Sequence, residues 1–208
     1  MLLLRSLTFG KNTIQKLPVI SKVHYSLSIP TSERIFSIDP SSGLDDDQKE
    51  ILSMATKFAK EQMKTEMANW DKNEIFPVEV LKQAGELGFG AIYCSPDFGG
   101  TSLSRLDASL IFEALSEGYV STSAYISIHN MCCWIIDQFG SPERKETWIP
   151  TLARMDKLAS YCLTEPGAGS DAGNLQTSAK REGDHYVING TKSFISGAGS
   201  SGVYLIMC

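Results

Sequence analysis

The sequence predicts an α+β chain in which an all-α helical part is followed by strands. Three observations predict it. From Asp45 onward, apolar residues recur at helical spacing behind capping signals. Gly88, Gly118 and Gly140 fall where those helical patterns stop. From about Ala159 the period shortens to two, and the separators become Glu182-Gly-Asp184 and Asn189-Gly190, which are hairpin and turn signals.

Taken in order, Met1 to Ser32 carries Arg5, Lys11, Lys16 and Lys22 with no acid, is rich in Ser and Thr, and opens on Leu2, Leu3 and Leu4. This is the composition of a mitochondrial transit segment. An unstructured tail is the other reading, and Arg5 cuts the apolar run too short for a secretory signal. Pro, Ser and Gly mark Ser37 to Gly43 as a linker. Residues 1–36 are read as leader and linker, 37–157 as a helical domain and 158–208 as an incomplete β domain.

Asp45 and Gln48 form a capping box for a helix whose inner face is Ile51, Ala55, Phe58 and Ala59, extended by Met63 and Met67. Pro77 opens a second helix at its first position and Gly88 closes it, with Leu81, Ala84 and Leu87 inward. Ser95 to Ser102 is a loop, and Ser104 with Asp107 caps the helix that runs to Gly118. A longer helix carries Tyr125, Ile128, Cys132, Ile135 and Ile136 to Gly140, and Ser141-Pro142 starts another. His129 lies in the long helix as a lone histidine on an apolar element, which reads as a satisfied structural residue. Strands are expected at Leu175–Lys180, His185–Ile188, Ser193–Ser196 and Gly202–Cys208; the last is continuously apolar and is expected to be central and buried.

Composition narrows the function classes. The 208 residues, 42% hydrophobic and 21% charged, suit a globular chain with a real core. Net charge is −5, and setting aside the leader's four cations leaves −9 on the rest, which argues against a nucleic-acid partner. Cys94, Cys132, Cys133, Cys162 and Cys208 lack paired C-x-x-C spacing, so neither a zinc site nor a secreted disulfide framework is expected; they read as reduced, mostly buried thiols. No apolar run approaches membrane-spanning length.

The chemistry concentrates in Tyr161-Cys-Leu-Thr-Glu-Pro-Gly-Ala-Gly-Ser170 and its echo Phe194-Ile-Ser-Gly197. A Pro-Gly turn, small residues and the Thr164 and Ser170 hydroxyls suit a flat, anionic ligand, because glycine admits close backbone approach and positive φ. Gly167, Gly169 and Gly173 read G-x-G-x-x-x-G, one residue too long for a Rossmann fingerprint, and no βαβ unit surrounds them. On local chemistry alone, an ordinary Gly-rich turn is the commoner explanation.

As a whole, Ser160 to Asp171 followed by Asn189-Gly-Thr-Lys-Ser-Phe-Ile-Ser-Gly197 closely resembles the acyl-CoA dehydrogenase family. Leu87-Gly-Phe-Gly90, Asp97-Phe-Gly-Gly100 and Ser121 to Met131 extend the resemblance from about Ile38 to the end; the last segment is most similar to the branch that acts on isobutyryl-CoA in valine breakdown. The resemblance implies an N-terminal helical domain, the start of an antiparallel β-barrel-like middle domain, and a C-terminal four-helix bundle absent from these residues. It implies FAD-dependent α,β-dehydrogenation of a short branched acyl-CoA in the mitochondrial matrix. Electrons would pass to electron-transfer flavoprotein, and full-length members are homotetramers. The cofactor would contact Tyr161, Cys162, Leu163, Thr164, Glu165, Pro166, Gly167, Ala168, Gly169, Ser170, Phe194, Ile195 and Ser196. Within that set the resemblance implies that Thr164 would bond the flavin pyrimidine edge, Ser196 would bond near N5, and Ser170 would lie by the pyrophosphate and the substrate. Phe194 and Ser196 stand where many members have Trp and Thr, so the indole N–H is lost and the hydroxyl kept.

Tyr125, Ile128 and His129 would border the acyl pocket. The family's base is a glutamate in the C-terminal domain, expected beyond Cys208, and Glu165 is expected to be structural. These residues are therefore expected to be a truncated form, inactive alone. A dehydrogenase for another short branched acyl-CoA, an oxidase relative, and an inert product that binds flavin or subunits remain the other readings.

Overall fold

The computed structural model describes residues 39 and 41–208, so the reading of 1–36 as transit segment and linker lies outside the described residues. Contacts divide the chain into Met1–Ser42 and Gly43–Cys208. In the first unit, Ser41 donates its amide and hydroxyl to Asp39 Oδ1 at 2.9 and 2.8 Å.

The second unit is a helical array followed by short sheet elements. Its helices are α1 (Asp46–Phe58), α2 (Met67–Lys72), α3 (Val78–Glu86), α4 (Arg105–Gly118), α5 (Val120–Phe139) and α6 (Pro142–Ala153); its strands are β1 (Ala159–Cys162), β2 (Ser178–Glu182), β3 (His185–Asn189) and β4 (Val203–Ile206). Capping sets the helix starts as the sequence predicts. Asp45 and Gln48 close one reciprocal box and Ser104 and Asp107 another, while Ser141 caps α6 with Pro142 behind it. Gln48 Nε2 also donates to Asp107 Oδ1 at 3.2 Å, which ties the start of α1 to the start of α4.

Between α1 and α2 the chain makes a π-helical turn, Ala59–Met63, so the single long stripe expected through Met67 is broken. Met63 is buried and Met67 is exposed, because the wider turn rotates the next residues away from the core. Two more expectations shift here: Pro77 is the N-cap of α3 rather than its first helical residue, and Leu87 faces solvent. One core cluster joins Ala55, Phe58, Met63, Leu81, Phe89, Ile111, Leu115 and Ile126 across α1, α3, α4 and α5. Each large aliphatic side chain buried there contributes about 1.5–3 kcal/mol. A second cluster packs Cys94, Cys132, Cys133, Ile149 and Leu152 against Ala159, which seats β1 on α5 and α6.

The β part is partly as expected. β2 and β3 pair antiparallel from Ser178↔Asn189 to Glu182↔His185 around a Gly183-Asp184 turn, but β2 starts three residues later than predicted. β4 pairs with β1 in parallel, Ala159↔Val203 to Cys162↔Ile206. It is not the buried central strand expected: Val203 and Leu205 pack inward while Tyr204 and Ile206 are exposed. Ser193 to Ser196 is not a strand either, since Phe194 adopts φ +58 and Gly197 φ +78. Among the described residues no helix is long and apolar enough to cross a membrane.

Candidate functional site

The two loops singled out in the sequence lie side by side. Thr164 follows β1, and its carbonyl accepts from the Ser193 amide at 2.8 Å. The stronger tie is Glu165. Its Oε1 accepts from Lys192 Nζ at 2.8 Å, from the Thr177 amide at 3.0 Å and from the Thr177 hydroxyl, while Oε2 accepts from the Gln176 amide at 2.6 Å. Lys192 also donates to the Leu163 carbonyl at 2.9 Å. Glu165 is buried and Lys192 nearly so, and Lys192 with the other donors holds the Glu165 carboxyl down at about 2. A buried ion pair is tolerable when its remaining lone pairs and protons are occupied, as they are here. Glu165 and Ala168 exchange backbone bonds at 2.9 and 3.2 Å, which closes the Pro166-Gly167 turn.

The second loop is held from inside. Ser160 on β1 donates to the Ser196 carbonyl at 2.6 Å and lies 2.7 Å from Ser201 Oγ. Tyr125 on α5 reaches Ser201 Oγ at 3.3 Å and donates to the Ala159 carbonyl at 3.1 Å. Gly197 is required at the centre: a Cβ there would lie 2.5 Å from Tyr125 Cε2, and its φ of +78 is in the left-handed region.

His129 carries the structural role expected. The Ala159 amide donates to its Nδ1 at 3.0 Å, so Nε2 bears the proton and donates to the Leu152 carbonyl at 2.9 Å. Burial drives its pKa down to about 4, which keeps the ring neutral. Tyr125 is likewise pushed up to about 12 by burial. Burial also raises the thiols of Cys94, Cys132, Cys133 and Cys162, which are inert as nucleophiles; Cys208 alone of the five is exposed.

With the loops so tied, some groups are left over. Among the described residues the hydroxyls of Thr164, Ser170 and Ser196 make no hydrogen bond, nor do the amides of Phe194, Ile195, Ser196 and Gly197. Phe194 is 87% exposed in a left-handed backbone that non-glycine residues rarely adopt. Positive φ, expected at the first loop's glycines, occurs instead at Gly197 and Gly199; Gly167 and Gly169 border open space. Tyr161 and Leu163 are half-buried, Cys162 and Ala168 buried, Ile195 half-buried, and Pro166, Gly167, Gly169 and Ser170 exposed. Tyr125 touches the second loop, whereas His129 is turned to the backbone. The sequence reading missed Asn130, whose side chain accepts from the Ile92 amide and donates to the Phe89 and Ile126 carbonyls in the core. A buried amide has no periodic signature. Lys192 and Thr177 were also missed, since nothing local marks a residue whose partner is 12 or 27 positions away.

Residues 45–156 match the family "Acyl-CoA dehydrogenase, N-terminal domain" and residues 160–208 match "Acyl-CoA dehydrogenase, middle domain". The chain is 56% identical over 171 residues to the mitochondrial isobutyryl-CoA dehydrogenase of Bos taurus, covering 82% of this chain and 41% of that protein. It is 57% identical over 169 residues to the mitochondrial isobutyryl-CoA dehydrogenase of Dictyostelium discoideum, covering 81% of this chain and 41% of that one. A glutaryl-CoA dehydrogenase from Mycobacterium smegmatis, solved in complex with FADH2, superposes with a TM-score of 0.75 at 27% identity, covering 78% of this chain and 42% of that one. The chain thus spans about two fifths of the length of these curated relatives. Its helices alone match over more than half of the chain, and the strands after them match the family's next domain, so this chain belongs to the acyl-CoA dehydrogenase family.

Proposed function

We propose that the paired loops hold FAD in a protein that dehydrogenates isobutyryl-CoA, or another short branched acyl-CoA, at the α,β bond. The observation that carries this reading is the set of groups the clamps leave over: three hydroxyls and four amides without protein partners among the described residues, beside an exposed aromatic held in a strained backbone. Such a set fits a flat heterocycle with an anionic tail. Hydroxyls and amides donate to ring and phosphate oxygens, the open space at Gly167 and Gly169 admits the tail, and Phe194 offers an apolar face. The FADH2 complex of the glutaryl-CoA dehydrogenase supports the same cofactor here.

Thr164 would meet the pyrimidine edge, Ser196 the central ring, and Ser170 the pyrophosphate and the substrate, with Tyr161 to Ser170 and Phe194 to Ser196 lining the rest. The flavin, when bound, supplies the hydride acceptor. The chain's own part is to orient it, donate to it and exclude water from one side. Glu165 does not serve as the α-proton base in this reading, because four donors already occupy its carboxylate. The domains are 37–157 and 158–208, preceded by a transit segment and linker over 1–36. Electron-transfer flavoprotein, the mitochondrial matrix and homotetramer assembly complete the proposal; the Bos taurus and Dictyostelium relatives are themselves named mitochondrial.

The test is anaerobic addition of isobutyryl-CoA to the protein purified from its source. A yellow protein whose visible flavin band bleaches, and recovers with electron-transfer flavoprotein more readily than with oxygen, is the expected result. A colourless protein overturns the cofactor assignment, and a yellow one that bleaches only with straight-chain acyl-CoAs overturns the substrate.

A further inference from the structure

We infer that Tyr125, Ser201 and Ser160 form a one-way hydrogen-bond chain that positions the Ser196-Gly197 peptide. The direction comes from counting protons. The Ser196 carbonyl can only accept, so Ser160, 2.6 Å away, spends its one proton there. Ser160 must then accept in its 2.7 Å contact with Ser201, which spends the Ser201 proton. Ser201 must in turn accept from Tyr125 at 3.3 Å, and the Tyr125 proton is shared with the Ala159 carbonyl at 3.1 Å. Reversing any member would leave one of these oxygen contacts with no proton in it.

The chain starts at a rigid point. Tyr125 is 3% exposed on the long helix α5, and its ring packs edge-on against Phe76 at 4.7 Å. It ends on a loop with little other support: the Gly197 carbonyl accepts from the Ser200 and Ser201 amides at 3.0 and 2.9 Å, while the amides of Ser196 and Gly197 have no acceptor among the described residues. Because a trans peptide sets its C=O and N–H in opposite directions, drawing the Ser196 oxygen inward to Ser160 turns the Gly197 N–H away from β1. The three hydroxyl residues are thus positioning residues. They act through the peptide beside Ser196, and their bearing on a ligand rests on the flavin reading above.

The experiment compares Tyr125→Phe, Ser201→Ala and the double variant, with Ser201→Thr as the variant that keeps the hydroxyl. Tyr125→Phe removes one oxygen and Ser201 is half-exposed, so both are expected to fold. In flavin-free protein, hydrogen exchange at the Ser200 and Ser201 amides should quicken about tenfold in both single variants. With FAD as the probe, the Kd read from flavin fluorescence should rise by a similar factor. The double variant should add little to either single one, as links in series do, and Ser201→Thr should restore both values. Wild-type exchange rates and wild-type Kd in the single variants overturn the chain, as does a double variant whose effects multiply. A wild-type protein that does not bind FAD overturns the flavin reading instead, and the exchange rates still decide the hydrogen-bond chain.

Discussion

His129 and Glu165 are both titratable and both buried, yet the structure uses one neutral and the other charged. His129 must be neutral because Nδ1 accepts from the Ala159 amide. Its folded pKa of about 4 lies below the ordinary 6.5. Stability is therefore complete above pH 6.5 and falls as the unfolded chain takes up a proton between 6.5 and 4, by about 3 kcal/mol. His129→Gln keeps one donor and one acceptor without the titration, so from pH 6.5 to 4.5 its urea midpoint should stay level while the wild type's drops. Glu165 titrates lower. Its carboxyl goes from the ordinary 4.5 to about 2 on folding, so its contribution is present above pH 4.5 and is lost as pH falls to about 2. Glu165→Gln should lower Tm at pH 7, and its difference from the wild type should shrink through that lower window. A difference that does not change with pH would mean that the charge is not what holds the loops.

At the scale of elements, helix starts were legible because capping is local: Asp45, Ser104 and Ser141 each act on an amide three residues on. Ser104→Ala should cost about 1 kcal/mol, read from the denaturation midpoint. Gly197→Ala is a harsher change, since its Cβ meets Tyr125 and its φ is positive; a Tm drop larger than that of Ser104→Ala and loss of FAD binding are expected. What was not legible depends on contacts distant in sequence. The π-helical turn at Ala59–Met63 leaves the apolar pattern of α1 intact while turning Met67 outward. Likewise β4 reads as buried by its run of apolar residues, yet one of its two faces is exposed. Ser193 to Ser196 stands where a strand would follow the Asn189-Gly190 turn signal, and the left-handed backbone at Phe194 overrides that expectation. Within the candidate site, the loops could be named from their residues, but the Glu165 clamp that joins them could not.

For the whole molecule, the helical array serves as a rigid frame. Core residues of α5 and α6 seat β1, and β1 carries both the first loop at its end and Ser160, which restrains the second. The central claim is that this frame holds two loops at a flavin. The most direct measurement is a FAD titration of the wild-type chain and of the Thr164→Val, Ser196→Ala double variant, followed by flavin fluorescence and by Tm. Two lost hydrogen bonds of about 1 kcal/mol each should raise Kd by at least about tenfold, with the Tm of the flavin-free protein little changed. Equal affinity in the two proteins, or no binding by the wild type, would contradict it.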